Sequence, residues 1–320
     1  MNYIVLDLEW NQCPDGKVKE NKELPFEIIE IGAVKLDSNY NKIGEFSELI
    51  KPCVYNAIHY KTREVIKISM EELNKCCTFS QVCSHFLDWC GKDYIFATWG
   101  NMDLMELQRN MKYFGIEYQF DYPLKYYDVQ KIFSMFFEAI KVRRTLEYAV
   151  SFLNISIDHE FHKAIYDAEY TGLILKLLDE NYLLNNISVD YFNPPKEKKD
   201  EIYLKYNEYS KYISRQFNSK EEAMLDKEVI STKCNYCNKN VKRRIKWFSI
   251  NAKVYYALCY CNEHGFIKCK IRMKKSESDK YFVIKTIKGI SEEEGFQIQA
   301  RRDELRKKRK IKRKSKKYNN

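Results

Sequence analysis

Four acids and one histidine carry the chemistry open to this chain: Asp7 and Glu9, then Asp103, then His162 and Asp167. Asp7 and Glu9 lie in the apolar run Ile4-Val5-Leu6-Asp7-Leu8-Glu9-Trp10, which reads as a strand. A strand has a period of two, so residues 7 and 9 face the same way. Two carboxylates on one face of an apolar strand repel each other and cost desolvation. A divalent metal between them removes both penalties. Asp103 follows the apolar run 94–99 and opens a helix. His162 and Asp167 sit in Phe161-His162-Lys163-Ala164-Ile165-Tyr166-Asp167-Ala168, again at a helix start. Taken singly, Asp103 and Asp167 are first-turn acids favoured by the helix dipole, and a lone histidine is more often structural than catalytic. As an ordered set, Asp-x-Glu, then Asp, then His-x-Ala-x-x-Asp-Ala, they read as one site.

The elements that must position this set alternate between strand and helix patterns over residues 1–185. Residues 4–9, 27–36 and 46–51 read as the first three strands. Ser69 with Glu72 is a capping box, 81–89 an amphipathic helix and 94–99 a buried strand. Residues 102–114, 129–140, 145–153 and 168–184 have helical spacing. Asn193-Pro194-Pro195 interrupts the pattern. Residues 186–230 then read as a charged linker with one solvated helix, 231–290 as a small Cys-rich β unit, and 291–320 as a basic tail.

The set resembles the DEDD-type 3′–5′ exonucleases of the ribonuclease H-like fold, in the subgroup whose histidine stands five residues before the last aspartate (DEDDh). The resemblance covers roughly residues 1–180. Ile29-Glu30-Ile31-Gly32-Ala33-Val34 is similar to that family's second strand, and Leu146-Glu147-Tyr148-Ala149 to the helix before its third motif. The opening Asp-Leu-Glu-Trp-Asn-Gln looks most like predicted exonucleases grouped with a bacterial sporulation inhibitor and with eukaryotic RNA-trimming enzymes. The implied architecture is α/β, a ribonuclease H-like mixed sheet flanked by helices, with a small C-terminal zinc-ribbon domain and a basic tail.

The resemblance implies a metal-dependent phosphodiesterase. Two Mg²⁺ or Mn²⁺ ions roughly 4 Å apart would activate water and neutralise charge on the leaving oxygen. Hard cations take carboxylate oxygens, which suits four acids. Asp7 would bridge both ions, Glu9 and Asp167 complete one site, and Asp103 hold the second through water. His162 would be the general base, since histidine titrates near neutrality. His159 is its rival, but its spacing to Asp167 departs from the pattern. Leu8 and Trp10 follow the family's habit of placing an apolar residue between terminal bases, Trp10 being equally readable as core. Expected substrates are single-stranded RNA or 3′ overhangs, with DNA the nearest alternative, and expected products are nucleoside 5′-monophosphates. A nucleic-acid-binding regulator independent of catalysis, and an adaptor working through ribbon and tail, are the readings from other classes.

Cys234-Asn235-Tyr236-Cys237 and Cys261-Asn262-Glu263-His264 form a second constellation. Two such knuckles read as a structural Zn²⁺ site with Cys234, Cys237, Cys261 and His264 as ligands, filled entirely by protein. Cys259 and Cys269 are spare and could replace one ligand. The other six of the 11 cysteines show no metal spacing. Lys242, Arg243, Arg244, Lys246, Lys268, Lys270, Arg272, Lys274 and Lys275 flank aromatics, a composition that suits single-stranded nucleic acid.

The net charge of +10 belongs to one segment: residues 301–320 hold 12 Lys/Arg against 2 Asp/Glu, and the rest is balanced. Such a block self-repels, reads as disordered when free, and suits phosphate contact. No run of 18 apolar residues predicts a membrane span, and the opening residues lack a signal-peptide pattern, so a cytoplasmic protein with reduced cysteines is expected.

Overall fold

Apolar alternation along residues 2–12 and 26–36 builds the centre of a mixed sheet. The computed structural model describes residues 1–117, 120–138 and 142–318, with side chains as far as residue 311. The chain forms two units, residues 1–190 and 191–320.

The first unit contains β1 (Asn2–Gln12), β2 (Phe26–Leu36), β3 (Lys42–Lys51), α1 (Tyr60–Val65), α2 (Met70–Leu73), β4 (Cys77–Thr78), α3 (Phe79–Cys90), β5 (Tyr94–Thr98), α4 (Met102–Tyr113), β6 (Lys125–Asp128), α5 (Val129–Phe136), α6 (Leu146–Phe152), α7 (Ala164–Lys176), α8 (Glu180–Leu184) and β7 (Ser188–Val189). The sheet order is β4-β3-β2-β1-β5-β6-β7. β1, β2 and β3 form an antiparallel meander, and β5 runs parallel to β1.

Each face of the sheet buries a separate core. Tyr3, Val5, Val34 and Leu36 pack against Val129 and Phe133 of α5, Ala149 of α6 and Ile165 and Ala168 of α7. Ile4, Leu6, Leu8 and Ile31 pack against Phe86 of α3 and Leu104 and Leu107 of α4. The odd residues of β1 therefore face α7, and this puts Asp7 and Glu9 on that side. A bulge leaves Ile29 of β2 without a partner, since Glu9 pairs with Glu30 and Trp10 with Ile28. Ile28 thus turns to the side of Leu8, and Glu30 stays on the side of Asp7 and Glu9.

Two helices differ from the spacing. The helical pattern 168–184 is broken into α7 and α8, because the Asp179 side chain accepts from the Tyr182 amide and starts a new helix. The pattern 129–140 ends at Phe136 as α5, and its last residues lie outside the described ones. Ser69 and Glu72 form the expected capping box of α2.

The second unit contains β8 (Ile202–Lys205), β9 (Tyr209–Ile213), α9 (Lys220–Leu225), α10 (Lys227–Ile230), β10 (Lys242–Asn251), β11 (Val254–Cys261), β12 (Gly265–Lys275), β13 (Tyr281–Gly289) and α11 (Glu292–Tyr318). Its strands form one antiparallel sheet in the order β10-β11-β12-β13-β9-β8. This corrects the reading of 186–230 as a linker. Two of its strands complete the sheet, and Arg215 ties Glu201 (2.9 Å) to Asp226 (2.8 Å). Strands this short, set between charged flanks, give little period to read, and composition alone suggests a solvated helix. The unit is accordingly larger than a ribbon of 231–290.

The tail differs too. It continues a helix that starts at Glu292, where three glutamates occupy the first turn and complement the helix dipole. Ile298 packs against Ile245 and Leu258, with Phe248 and Phe266 alongside. Arg309 donates to the carbonyl (2.6 Å) and hydroxyl (2.7 Å) of Ser249. An apolar foothold before the basic run supplies the burial that the run lacks. Among the described residues no helix is long and apolar enough to cross a membrane.

Candidate active site and metal centre

The carboxylates converge because two backbones approach closely. Gly32 lies opposite Asp7 in the β1–β2 ladder. A Cβ there would sit 2.1 Å from the carbonyl carbon of Ala164, the first residue of α7. Only glycine lets the start of α7 lie on the sheet at this point. Asp167, in the first turn of α7, is thereby brought against Glu9. Ligand atoms of Glu9, His162 and Asp167 all lie within 4.8 Å of one another.

Asp103 arrives from the other layer. β1 pairs with β5 only as far as Leu6 opposite Thr98. Beyond that point the Leu8 amide has no β5 partner, and it donates to the Asp103 carboxylate in the first turn of α4. Asp103 and Asp167 are 6% and 8% exposed.

The electrostatics are those of crowded, buried acids. Burial, then Asp103, Glu9, Asp167 and Glu30, hold Asp7 well above the usual carboxylate range. Burial followed by Asp167, Glu30 and Asp103 pushes Glu9 up to about 9. Burial takes Asp103 up to about 7, against the pull of its own amide and that of Leu8. Asp167 is pushed up to about 6 by burial, opposed by the His162 amide. No Lys or Arg among the described residues forms an ion pair with these four. Asp167 Oδ1 is buried without a hydrogen-bond partner. Oxygen donors with spare lone pairs, mutual repulsion and no cation of their own fit a divalent metal ion.

His162 has a left-handed backbone (φ +67°) that few non-glycine residues adopt. That conformation lets its amide donate to Asp167 Oδ2 at 3.2 Å. Its ring is about half exposed, with Nε2 3.6 Å from Glu147 Oε1. His159 is placed differently: its ring stacks on Tyr166 (4.1 Å between centroids, 9° between planes), and its backbone bonds the Tyr170 hydroxyl. The structure brings His162 to the acids and leaves His159 aside. Leu8 and Trp10 belong to the core on the opposite face, where Trp10 packs on Phe26 at 5.7 Å.

Two further acids join the site. Glu30, 1% exposed and opposite Glu9, is pushed up to about 7 by burial. A charge in the middle of the run Ile28-Ile29-Glu30-Ile31 was the available signal. Glu147 faces His162 from α6, and nothing in its local spacing marks it.

In the second unit, the loop 234–237 meets the turn between β11 and β12. Ligand atoms of Cys234, Cys237, Cys261 and His264 lie within 4.8 Å of one another. Cys237 Sγ is 3.8 Å from Cys261 Sγ, and Cys261 Sγ is 3.6 Å from His264 Nδ1. A tetrahedron with metal–sulfur bonds of about 2.3 Å has edges of about 3.8 Å, so these atoms stand as around a shared ion. His264 draws the Cys261 thiol down to about 6. Cys259 and Cys269 are not part of it: their sulfurs, 3.8 Å apart, form a separate pair buried between β11 and β12.

Comparison with known proteins bears on the first unit. The exonuclease family model of RNase T type matches residues 4–175. The probable 3′-5′ exonuclease KapD of Bacillus subtilis (strain 168) is 25% identical over 180 residues, covering 56% of this chain and 84% of that protein. The nuclease domain of 3′hExo, a DEDDh family member bound to rAMP, superposes with a TM-score of 0.50 at 17% identity, covering 59% of this chain and 96% of that one. This last likeness is one of fold.

Proposed function

We propose, for a chain that belongs to the exonuclease family of RNase T type, that it removes nucleotides from the 3′ end of single-stranded RNA or RNA overhangs as nucleoside 5′-monophosphates. The observation carrying this reading is the convergence of Asp7, Glu9, Asp103 and Asp167 with His162 beside them. The 3′–5′ direction is that of KapD, and the rAMP bound by 3′hExo is what favours RNA in this reading.

Asp7, Glu9, Asp103 and Asp167 would hold two divalent cations, Mg²⁺ or Mn²⁺. Such ions supply charge neutralisation at the phosphodiester and a more acidic water. The protein's own part is positional. β1 fixes Asp7 and Glu9 on one face, the Leu8 amide fixes Asp103, and the His162 amide fixes Asp167. The His162 ring, turned by Glu147, accepts the proton of the attacking water. Its half-exposed position leaves room for that water and for the strand end.

In the second unit, Cys234, Cys237, Cys261 and His264 would hold one structural Zn²⁺, since three thiols and an imidazole fill a tetrahedral site and leave no open position for chemistry. Arg244 lies over Tyr260 at 5.1 Å, and Lys268 and Lys270 over Tyr256 at 5.2 and 5.9 Å. These stacked cations favour a strand-binding role for the β10–β12 face.

The test is a rate comparison on matched RNA and DNA oligonucleotides with 3′ overhangs. His162→Ala is expected to lower the rate about 10²- to 10⁴-fold, the usual contribution of a general base, and RNA to be cut faster. Unchanged cleavage by His162→Ala would remove the histidine from the reaction. Faster cutting of DNA would reverse the substrate assignment.

A further inference from the structure

The second unit has a groove that the carboxylates do not use and that Cys234 of the thiol cluster borders at one end. It runs along the edge strand β8, its neighbour β9 and the segment 228–238, with a volume of about 350 Å³. Small-ligand sites span about 300–1,000 Å³. Three lysines present their side chains to it, Lys205, Lys233 and Lys285, against one carboxylate, Glu228.

Lys285 sets the character of the groove. It is 3% exposed. Its ammonium donates to the Glu228 carbonyl (2.5 Å), the Ser231 carbonyl (3.2 Å) and the Ser231 hydroxyl (3.0 Å). None of these acceptors is a carboxylate, and among the described residues no carboxylate oxygen lies within ion-pair distance. The Glu228 side chain is engaged by the Ser231 hydroxyl instead, at 3.3 Å. Burial pulls the Lys285 pKa down to about 8. A buried cation bonded to no carboxylate, with Glu228 and Asp226 acting on it only at a distance, favours an anion in front of it.

The aromatic side of the groove is equally specific. Tyr203 and Tyr212 stand together with ring centroids 4.8 Å apart. Tyr212 is buried, with the Lys285 ammonium 4.9 Å from its ring centre. Tyr203 is 59% exposed, since β8 is the last strand of the sheet among the described residues. An open aromatic face beside several cations offers both things a nucleotide requires, a stacking surface for the base and positive charge for the phosphate.

We propose that this groove binds a nucleotide, the base stacked on Tyr203 and the phosphate held by Lys205 and Lys233. The choice of ligand class rests on the nuclease reading above; the groove itself does not. The nucleotide is either free or one unit of a strand.

The experiment uses the full chain without added divalent metal. Anisotropy of a 5′-fluorescein 12-nucleotide RNA reads the strand, and equilibrium dialysis of AMP reads the free nucleotide. Tyr203→Ala and Lys233→Glu, both at exposed positions, are each expected to weaken binding about tenfold, the scale of one lost stacked base. Tyr203→Phe keeps the ring and is expected to bind as wild type. Weakening of RNA alone assigns the groove to a strand, and weakening of AMP assigns it to a free nucleotide. RNA and AMP binding that neither substitution changes overturns the proposal. Hydrolysis of the p-nitrophenyl ester of thymidine 5′-monophosphate, measured in parallel with Mg²⁺ or Mn²⁺ added, reports the carboxylate site alone. Its absence beside intact, Tyr203-dependent RNA binding counts against the nuclease reading and not against the groove.

Discussion

At the scale of single residues, the carboxylate cluster makes the metal-free protein sensitive to pH. Glu9 is pushed up to about 9, and Asp103 and Glu30 to about 7. A carboxyl whose pKa rises on folding binds its proton more tightly in the folded state. Its contribution to stability is therefore full below the unfolded value near 4.5 and is lost as pH rises through the folded value. Without metal, the melting temperature is expected to fall between pH 5 and pH 9. Mg²⁺ binds the ionised form, so it should raise the melting temperature more at pH 8 than at pH 5. Asp7→Asn should raise the metal-free melting temperature at pH 8 and abolish the Mg²⁺ response. A thermal series with and without Mg²⁺ checks both; a pH-independent Mg²⁺ shift contradicts them. Asp7, Glu9 and His162 could be picked out from the chain because charged residues on an apolar strand, and a histidine at fixed spacing from an aspartate, leave a local pattern. Glu147 could not, because its partner His162 is remote in sequence and exposed helical glutamates are common.

Among the elements, the contact between β2 and the start of α7 decides whether the site exists. Gly32→Ala is expected to force α7 away from the sheet, since the new methyl would lie 2.1 Å from Ala164. The cost should be about 1–3 kcal/mol, as for other overpacked sites. Activity should fall with it because Asp167 moves with α7. Urea unfolding and a rate measurement check this, and a variant of unchanged stability and rate would show that α7 is free to shift. The thiol cluster plays the matching part in the second unit. Cys234→Ser should lower zinc content to well below one ion per chain, read by elemental analysis. It should also lower the melting of the second unit, as structural zinc contributes folding energy directly. A retained zinc ion would place the fourth ligand elsewhere. The strands β1, β2 and β5 were readable because buried strands have strong periodicity. β8 and β9 were not: each has five residues or fewer, too few for a two-residue period to stand out.

For the whole molecule, charge is partitioned. A nearly neutral body of 300 residues is followed by 20 residues that hold the entire excess. The tail continues α11, and Arg309 reaches back to Ser249. Removing residues 301–320 is expected to reduce the slope of log affinity against log salt for RNA by several units, about one per lost phosphate contact. Cleavage of a short oligonucleotide at saturating concentration should be unaffected. A slope unchanged by the deletion would mean that the tail makes no phosphate contacts. The tail's composition was legible at once, but its helical start was not, because it depends on Ile298 meeting a sheet built from strands 40 residues earlier. The central claim is that Asp7, Glu9, Asp103 and Asp167 form a metal-dependent site for cutting from the 3′ end, and its most direct test is digestion of a 5′-labelled RNA. Wild type with Mg²⁺ or Mn²⁺ should give a ladder receding from the 3′ end, absent without metal and absent in folded Asp7→Asn. Internal cuts, or cleavage undiminished in Asp7→Asn, would contradict the account.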